Sequence, residues 1–291
     1  MFRKSHLKNK FSEFLSFYKK RPIKNNQSGM KIDHCYALFC LLKKIKPKFI
    51  IESGIWKGQT TWLIKNVLKN SKIFSIDIDL SQRDLIYKDV KYFEKDITKY
   101  NWSKLDKNKT LIIFDDHVCF SKRLSFIKKN KFKHIIFDDN LPNHHISYYT
   151  PKMIVENQYL VKKEFIKYLN FFRLMKFTIR FLRKDFSNNT KINFYNKYLK
   201  ITYPTKDNKN LKKIFNYFRK KIQIYYEFPP ITKFNYKKRF QKILNNFKEV
   251  VPKNYKVKPP IFLNSKMHLP KELKNELNVQ YSNICYIKLT N

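Results

Sequence analysis

The chain has 291 residues, a formal net charge of +41 and only three glycines, Gly29, Gly54 and Gly58. An aromatic content of 17% excludes a disordered chain, and the glycine count excludes collagen-like and flexible-linker classes. No apolar run approaches the ~18 residues that span a bilayer, no signal-type apolar segment follows the basic N-terminus, and Cys35, Cys40, Cys119 and Cys285 show no metal or disulfide spacing, which points to reduced thiols in a cytoplasmic protein.

Taken in chain order, Phe11 to Lys19 and Lys31 to Ile45 read as helices. In the second, Ile32, Tyr36, Phe39 and Leu42 recur at helical spacing until Lys46-Pro47 ends it. Phe49 to Glu52 is a short β-branched strand, Ser53 to Gly58 a turn and Gln59 to Lys69 a helix. Strands follow at Lys72 to Ile78, Val90 to Phe93 and Thr110 to Phe114. Ser121 to Lys129 is a helix and His134 to Phe137 a fifth strand. Such alternation predicts an α/β, Rossmann-like, doubly wound and mostly parallel sheet.

Beyond Pro151 the pattern changes. Val161 to Arg183, Leu211 to Tyr226 and Phe234 to Phe247 read as amphipathic helices, and Ile284 to Leu289 as a last strand. The expected organisation is N-terminal helices over 1–46, a ligand-binding core over 47–150, a helical insertion or substrate cap over 151–275, and a final core strand over 276–291.

Four constellations carry chemistry. The first is Glu52-Ser53-Gly54-Ile55-Trp56-Lys57-Gly58-Gln59-Thr60, a strand running through a glycine turn into a helix. Gly54 can take positive φ and admit a ligand to the backbone, while the helix start at Gly58 offers free N–H groups to an anion. The second is Asp77, with Asp79 as runner-up, at the end of the second strand, where an acid suits ribose hydroxyls. The third is Asp96, after the third strand. The fourth is a near-repeat: Leu111-Ile112-Ile113-Phe114-Asp115-Asp116-His117 and His134-Ile135-Ile136-Phe137-Asp138-Asp139-Asn140. In a parallel sheet both Asp pairs fall at carboxyl ends of neighbouring strands. Converging like charges are costly, and oxygen donors of this kind suit Mg²⁺ or a similar divalent cation. Two helix N-caps are the plainer explanation, but they account for one Asp per strand and not for the pairing.

The glycine segment resembles the E-x-G-x-x-x-G-x-[ST] motif of class I S-adenosylmethionine-dependent methyltransferases. The two Asp-Asp segments resemble the metal-dependent members, namely catechol-type O-methyltransferases, macrocin-type sugar O-methyltransferases and the cephalosporin-hydroxylase-like group. The resemblance covers about residues 47–142 and the last strand. It implies S-adenosylmethionine held by Glu52, Gly54, Gly58, Asp77 and Asp96. It also implies Asp116, Asp139 and Asn140 as metal ligands, with Asp115 and Asp138 in play, and O-methylation of a sugar or other small hydroxylated acceptor. Catechol-type enzymes carry a catalytic Lys where this chain has Cys119, so His117 or Lys122 becomes the candidate base. His144 and His145 follow the fifth strand and could line the acceptor site.

The charge has two readings. Lys supplies 54 of the 63 basic residues and Arg nine, and the abundance of Lys, Asn, Ile, Phe and Tyr with little Gly is what AT-rich codons specify. Specific nucleic-acid readers favour Arg, so a nucleic-acid-binding or RNA-modifying protein is kept as the alternative but not favoured. A non-catalytic cofactor-binding relative is the other alternative.

Overall fold

The computed structural model describes residues 1–26, 29–138, 140, 150–156, 209–232, 258–262, 273, 276 and 284–290. Helices α1 (Lys4–Tyr18) and α2 (Ile32–Ile45) precede β1 (Phe49–Ser53) and α3 (Gln59–Val67). Strands β2 (Lys72–Ile76) and β3 (Val90–Phe93), a 3₁₀ turn (Ile97–Lys99) and β4 (Thr110–Phe114) follow. Then come α4 (Phe120–Asn130), β5 (His134–Phe137), α5 (Pro151–Val155), α6 (Lys209–Lys221), β6 (Ile222–Glu227) and β7 (Cys285–Leu289).

The seven strands form one sheet in the order β3-β2-β1-β4-β5-β7-β6. The first five are parallel, whereas β7 runs antiparallel to both β5 and β6. This is the expected doubly wound arrangement. Chain order reverses between β1 and β4, the switch point outside which such sheets bind ligands.

Alternation along the strands builds two cores, one on each face. Ile50, Leu111, Ile113 and Ile136 join α1, α2 and α3 on one side. Ile51, Ile112, Phe114, Ile135 and Phe137 face α4 and α6 on the other. Strands buried on both faces read as continuous apolar runs, as β4 and β5 do.

Helix α1 begins at Lys4, ahead of the expected Phe11, and one element changes type from its sequence expectation. Leu211 to Tyr226 is not a single helix: α6 stops at Lys221 and Ile222–Glu227 is the strand β6, paired with β7. No Gly or Pro marks the junction, so the helical pattern of α6 runs on in sequence, while pairing with β7 decides the backbone. The stretch 151–275 is therefore not wholly helical, because it supplies the sheet's edge strand. The helices expected over 161–183 and 234–247, and His144 and His145, lie outside the described residues. Among the described residues no helix is long and apolar enough to cross a membrane.

Candidate active site

The parallel strands deliver their carboxyl ends to one edge, and the singled-out residues cluster there. The glycine turn sits at its centre. Gly54 has φ +100°, and a Cβ there would lie 2.2 Å from the Asp115 carbonyl oxygen. The turn thus rests on the exit of β4, an approach only glycine allows. The Gly54 N–H donates to Ile76 O (2.9 Å) and the Asp115 N–H to Ser53 O (2.8 Å), so β2, β1 and β4 meet at this residue. Gly58 caps α3 with φ +92°.

Asp77 closes the turn from the β2 side. Its Oδ2 accepts the N–H groups of Ile55 (2.8 Å) and Trp56 (3.2 Å), and its Oδ1 those of Ile78 (2.7 Å) and Asp79 (3.3 Å). Four backbone donors fill the carboxylate's roughly four acceptor sites. Asp79 makes a local turn of its own, accepting from the Ser81 N–H and Oγ.

Glu52 is fully buried beneath the turn. Its Oε2 accepts from Thr61 Oγ1 (2.7 Å) and Ser75 Oγ (2.6 Å), whereas Oε1 is buried with no hydrogen-bond partner. Burial pushes this carboxyl up to about 7, against the pull of the two hydroxyls. A buried orphan oxygen of this kind marks a place where a polar ligand group fits.

Asp96 and Asp116 share a cation that the motifs did not reveal. Arg123, on α4 and only 3% exposed, donates from Nη1 to Asp96 Oδ1 (3.0 Å) and from Nη2 to Asp96 Oδ2 (2.9 Å). The same Nη2 donates to Asp116 Oδ2 (2.6 Å), which also accepts from Ser53 Oγ (2.6 Å). Burial would raise the Asp96 carboxyl, but the Arg123 hydrogen bonds and charge hold it down at about 2. Lys122, the neighbour singled out as a base, is exposed on α4. His117 is also exposed and has φ 52°.

Further along the same edge the groups pair in a different manner. His34 Nδ1, from α2, lies 2.8 Å from Asp138 Oδ1, and both side chains are buried. Asn140 accepts from the Lys152 N–H at Oδ1 (2.7 Å) and donates from Nδ2 to the Tyr225 hydroxyl (2.9 Å). Lys152 Nζ, itself buried, donates to Glu227 Oε2 (2.6 Å) at the end of β6 and lies 3.3 Å from Glu156 Oε1. Burial pushes Tyr225 and Cys285 well above their ordinary values.

Among the described residues, three of the expected metal donors are engaged with other groups. Asp116 is held by Arg123 and Ser53, Asp138 faces His34, and Asn140 spends both ends of its amide on Lys152 and Tyr225. Among the described residues no three His, Cys, Asp or Glu side chains converge. Asp139 lies outside the described residues. The structure therefore places Asp115, Asp116, Asp138 and Asn140 along the expected edge but does not gather them round one centre.

Arg123, His34, Lys152, Glu227 and Tyr225 are the site residues that motif reading missed. A faint signal existed for Arg123, one of nine arginines in a chain with 63 basic residues. The other four come from elements distant in sequence.

No protein-family model matches the chain, and no curated protein matches it. Solved structures do. A structure of CmcI with Mg and SAM matches at 15% identity and TM-score 0.34, over 43% of this chain and 65% of that one. The plantazolicin methyltransferase BpumL, with a pentazolic desmethylPZN analog and SAH, matches at 11% and TM-score 0.38, over 99% and 96%. A putative caffeoyl-CoA O-methyltransferase from Staphylococcus aureus matches at 13% and TM-score 0.35, over 55% and 83%. The chain spans 61–65% of the length of the CmcI chains it matches. These likenesses carry no inference about reaction or acceptor, and the fold rests on the strand order itself.

Proposed function

We propose that the chain is an S-adenosylmethionine-dependent methyltransferase acting on a hydroxyl of a small acceptor, a sugar or similar polyol. One observation carries this reading. At the switch point of a doubly wound sheet, a glycine turn rests on the β4 exit above the buried, unpartnered Glu52 Oε1. When bound, the cofactor supplies a methyl group already activated on a sulfonium, so the protein's work is alignment.

Glu52, Gly54 and Gly58 hold the cofactor in this proposal. Glu52 Oε1 offers an acceptor to its charged amino-acid end, and the two glycines leave the turn open to it. Asp77 gives the cradle its shape. A ribose hydroxyl reaches Asp77 by replacing its longest bonds, those to Trp56 and Asp79. Asp96 faces Arg123 with both oxygens and acts through that pairing. The acceptor lies over the ends of β4 and β5, about 5 to 10 Å along the edge from the turn at the usual strand spacing. The acceptor's proton is taken up at that end. His34 beside Asp138 is suited to it by chemistry, since imidazole changes charge near neutral pH.

Titration calorimetry with S-adenosylmethionine tests the reading, and no binding at millimolar ligand would sink it. A second reading, nucleic-acid binding, has one observation in its favour. A cleft of about 690 Å³ at the opposite, amino edge of the sheet is lined by Lys10, Lys43, Lys46, Lys48 and Lys69. Glu13 pairs with Lys43 and Lys10. A steep loss of nucleic-acid affinity with salt would support that reading over the first.

A further inference from the structure

We infer that Arg123 is the resident cation that answers Asp96 and Asp116 at this site, and that the chain binds its cofactor without metal. The inference rests on the methyl-transfer reading and concerns how that site is neutralised.

Two carboxylates brought together from the ends of β3 and β4, strands with β2 and β1 between them in the sheet, need a positive partner. Here Asp96, after β3, and Asp116, after β4, both have one in the Arg123 guanidinium, through three hydrogen bonds of 2.6 to 3.0 Å. The remaining acceptor positions are also used. The Thr98 N–H and Oγ1 donate to Asp96 Oδ1, Ser53 Oγ to Asp116 Oδ2 and the Val118 N–H to Asp116 Oδ1. Nothing in this set calls for a second cation.

The guanidinium does more than cancel charge. Its planar fork reaches both oxygens of one acid and an oxygen of the other at once, which a lysine ammonium cannot do. It lies over the Phe114 ring, 5.6 Å from the centroid, so the fork is backed by the last residue of β4. A continuous chain of contacts results: Asp96, Arg123, Asp116, Ser53, then the glycine turn. Arg123 is in these terms a positioning residue. It fixes the distance between the ends of β3 and β4 and, through Ser53, the height of the turn that receives the cofactor. The same carboxylate pair would accept a divalent ion once the guanidinium is gone, since both acids already converge on one nitrogen.

The test uses the full chain and three calorimetric titrations. S-adenosylmethionine affinity of the wild type should agree within about twofold in EDTA and in millimolar Mg²⁺. Mg²⁺ alone should show no stoichiometric site of submillimolar affinity on the wild type. Arg123→Met should bind S-adenosylmethionine about tenfold more weakly, Mg²⁺ should restore part of that loss, and Arg123→Lys should fall between. Restoration by Mg²⁺ is a readout that a merely structural arginine would not move, and it needs only that the variant folds, checked by circular dichroism. The two wild-type titrations stand whether or not the variants fold. The inference is overturned if EDTA weakens wild-type cofactor binding about tenfold, if the wild type holds Mg²⁺ stoichiometrically, or if folded Arg123→Met binds cofactor as the wild type does. Failure of the wild type to bind S-adenosylmethionine in either buffer would instead sink the methyl-transfer reading, leaving the Mg²⁺ titration to decide the fate of Arg123.

Discussion

The two ends of the sheet's carboxyl edge are organised by different physics. At the β2-β1 end, polar side chains serve the backbone: Asp77 takes four main-chain N–H groups, and Glu52 takes two hydroxyls and keeps one oxygen unpartnered. At the β5-β7-β6 end, side chains serve one another as buried charges and amides: His34 with Asp138, Lys152 with Glu227, Asn140 with Tyr225. The first end is a cradle shaped by steric demand, whereas the second is a set of mutually dependent pairs. A change at the first should act on ligand binding and on chain geometry together, and a change at the Lys152–Glu227 or Asn140–Tyr225 pair of the second chiefly on stability.

The largest effect is expected at Gly54. An added Cβ would overlap the Asp115 carbonyl at 2.2 Å and sit 2.9 Å from the Asp116 nitrogen, both backbone atoms of the β4 exit that cannot swing aside. Gly54→Ala should therefore cost about 4 kcal/mol or more and abolish S-adenosylmethionine binding. Thermal unfolding by circular dichroism and calorimetry check both halves. Wild-type melting and affinity in this variant would mean the turn does not rest on β4 as described.

The next effect breaks the other end. Lys152→Met leaves Glu227 buried without its cation, and removing one partner of a buried pair costs about 3–5 kcal/mol. Lys152→Met with Glu227→Leu should recover most of that loss, because the charge left behind, Glu156, is a third exposed and not buried as Glu227 is. Denaturant unfolding of both single variants and the double one gives the coupling. The contrast sharpens if Lys152→Met, measured below its transition, still binds S-adenosylmethionine. It breaks if cofactor affinity falls in step with stability.

The same difference explains what could be read from the sequence. Glu52, Gly54, Gly58 and Asp77 fall within one strand-turn-helix-strand unit, and local constraints leave local marks: positive φ asks for glycine, and a strand end shows its acid. The five strands β1 to β5 and their mostly parallel, doubly wound sheet were legible for a similar reason, since each strand is a short apolar run closed by a helix or turn. Lys152 and Glu227 lie 75 residues apart, and Arg123 lies 27 from Asp96. Nothing in the neighbourhood of either residue announces its partner. The Asp-Asp repeat was visible, but Arg123 and His34, the groups beside its Asp116 and Asp138, were not. Strand β6 was hidden because its strand character is conferred by β7, with no breaker after Lys221 to end the preceding helix.

A pH series separates the two acids of the cradle by sign. Glu52 is raised to about 7 by burial, above its ordinary 4.5. A raised carboxyl gives stability that is complete below the unfolded value and lost as pH climbs through the folded one. Asp96, held down at about 2 against an ordinary 3.8, gives stability above its unfolded value that is lost as pH falls towards 2. Stability should thus decline from about pH 4 towards 7 on account of Glu52 and of buried Asp33, likewise raised by burial to about 7, and again below about pH 4 on account of Asp96. Glu52→Gln should lessen the upper decline, leaving the share of Asp33, and leave the lower one unchanged, as read from unfolding midpoints across the series. An upper decline equally steep in Glu52→Gln would assign it to another group.

The smallest effect belongs to Gly58, and its size tests how far the cradle's two glycines differ. Gly58 also has positive φ, +92°, but a Cβ there would meet Leu85 O at 3.2 Å and Leu85 Cβ at 3.3 Å. Those atoms belong to the connection between β2 and β3, tied to the turn by the Asp84 N–H donating to Lys57 O at 3.1 Å. A connection tied to the turn by that bond and by the exposed Lys57–Asp84 ion pair (3.2 Å) can retreat a few tenths of an ångström, whereas the β4 exit beneath Gly54 is fixed by the sheet on both sides. Gly58→Ala should then cost only the strain of a left-handed alanine, about 1–2 kcal/mol. Its cofactor affinity should fall several-fold less than that of Gly54→Ala, since the shift moves the rim of the cradle and leaves its floor in place. Equal losses at the two glycines would show that the β2–β3 connection is as rigid a wall as β4, and the cradle would then be closed on that side as firmly as on the other.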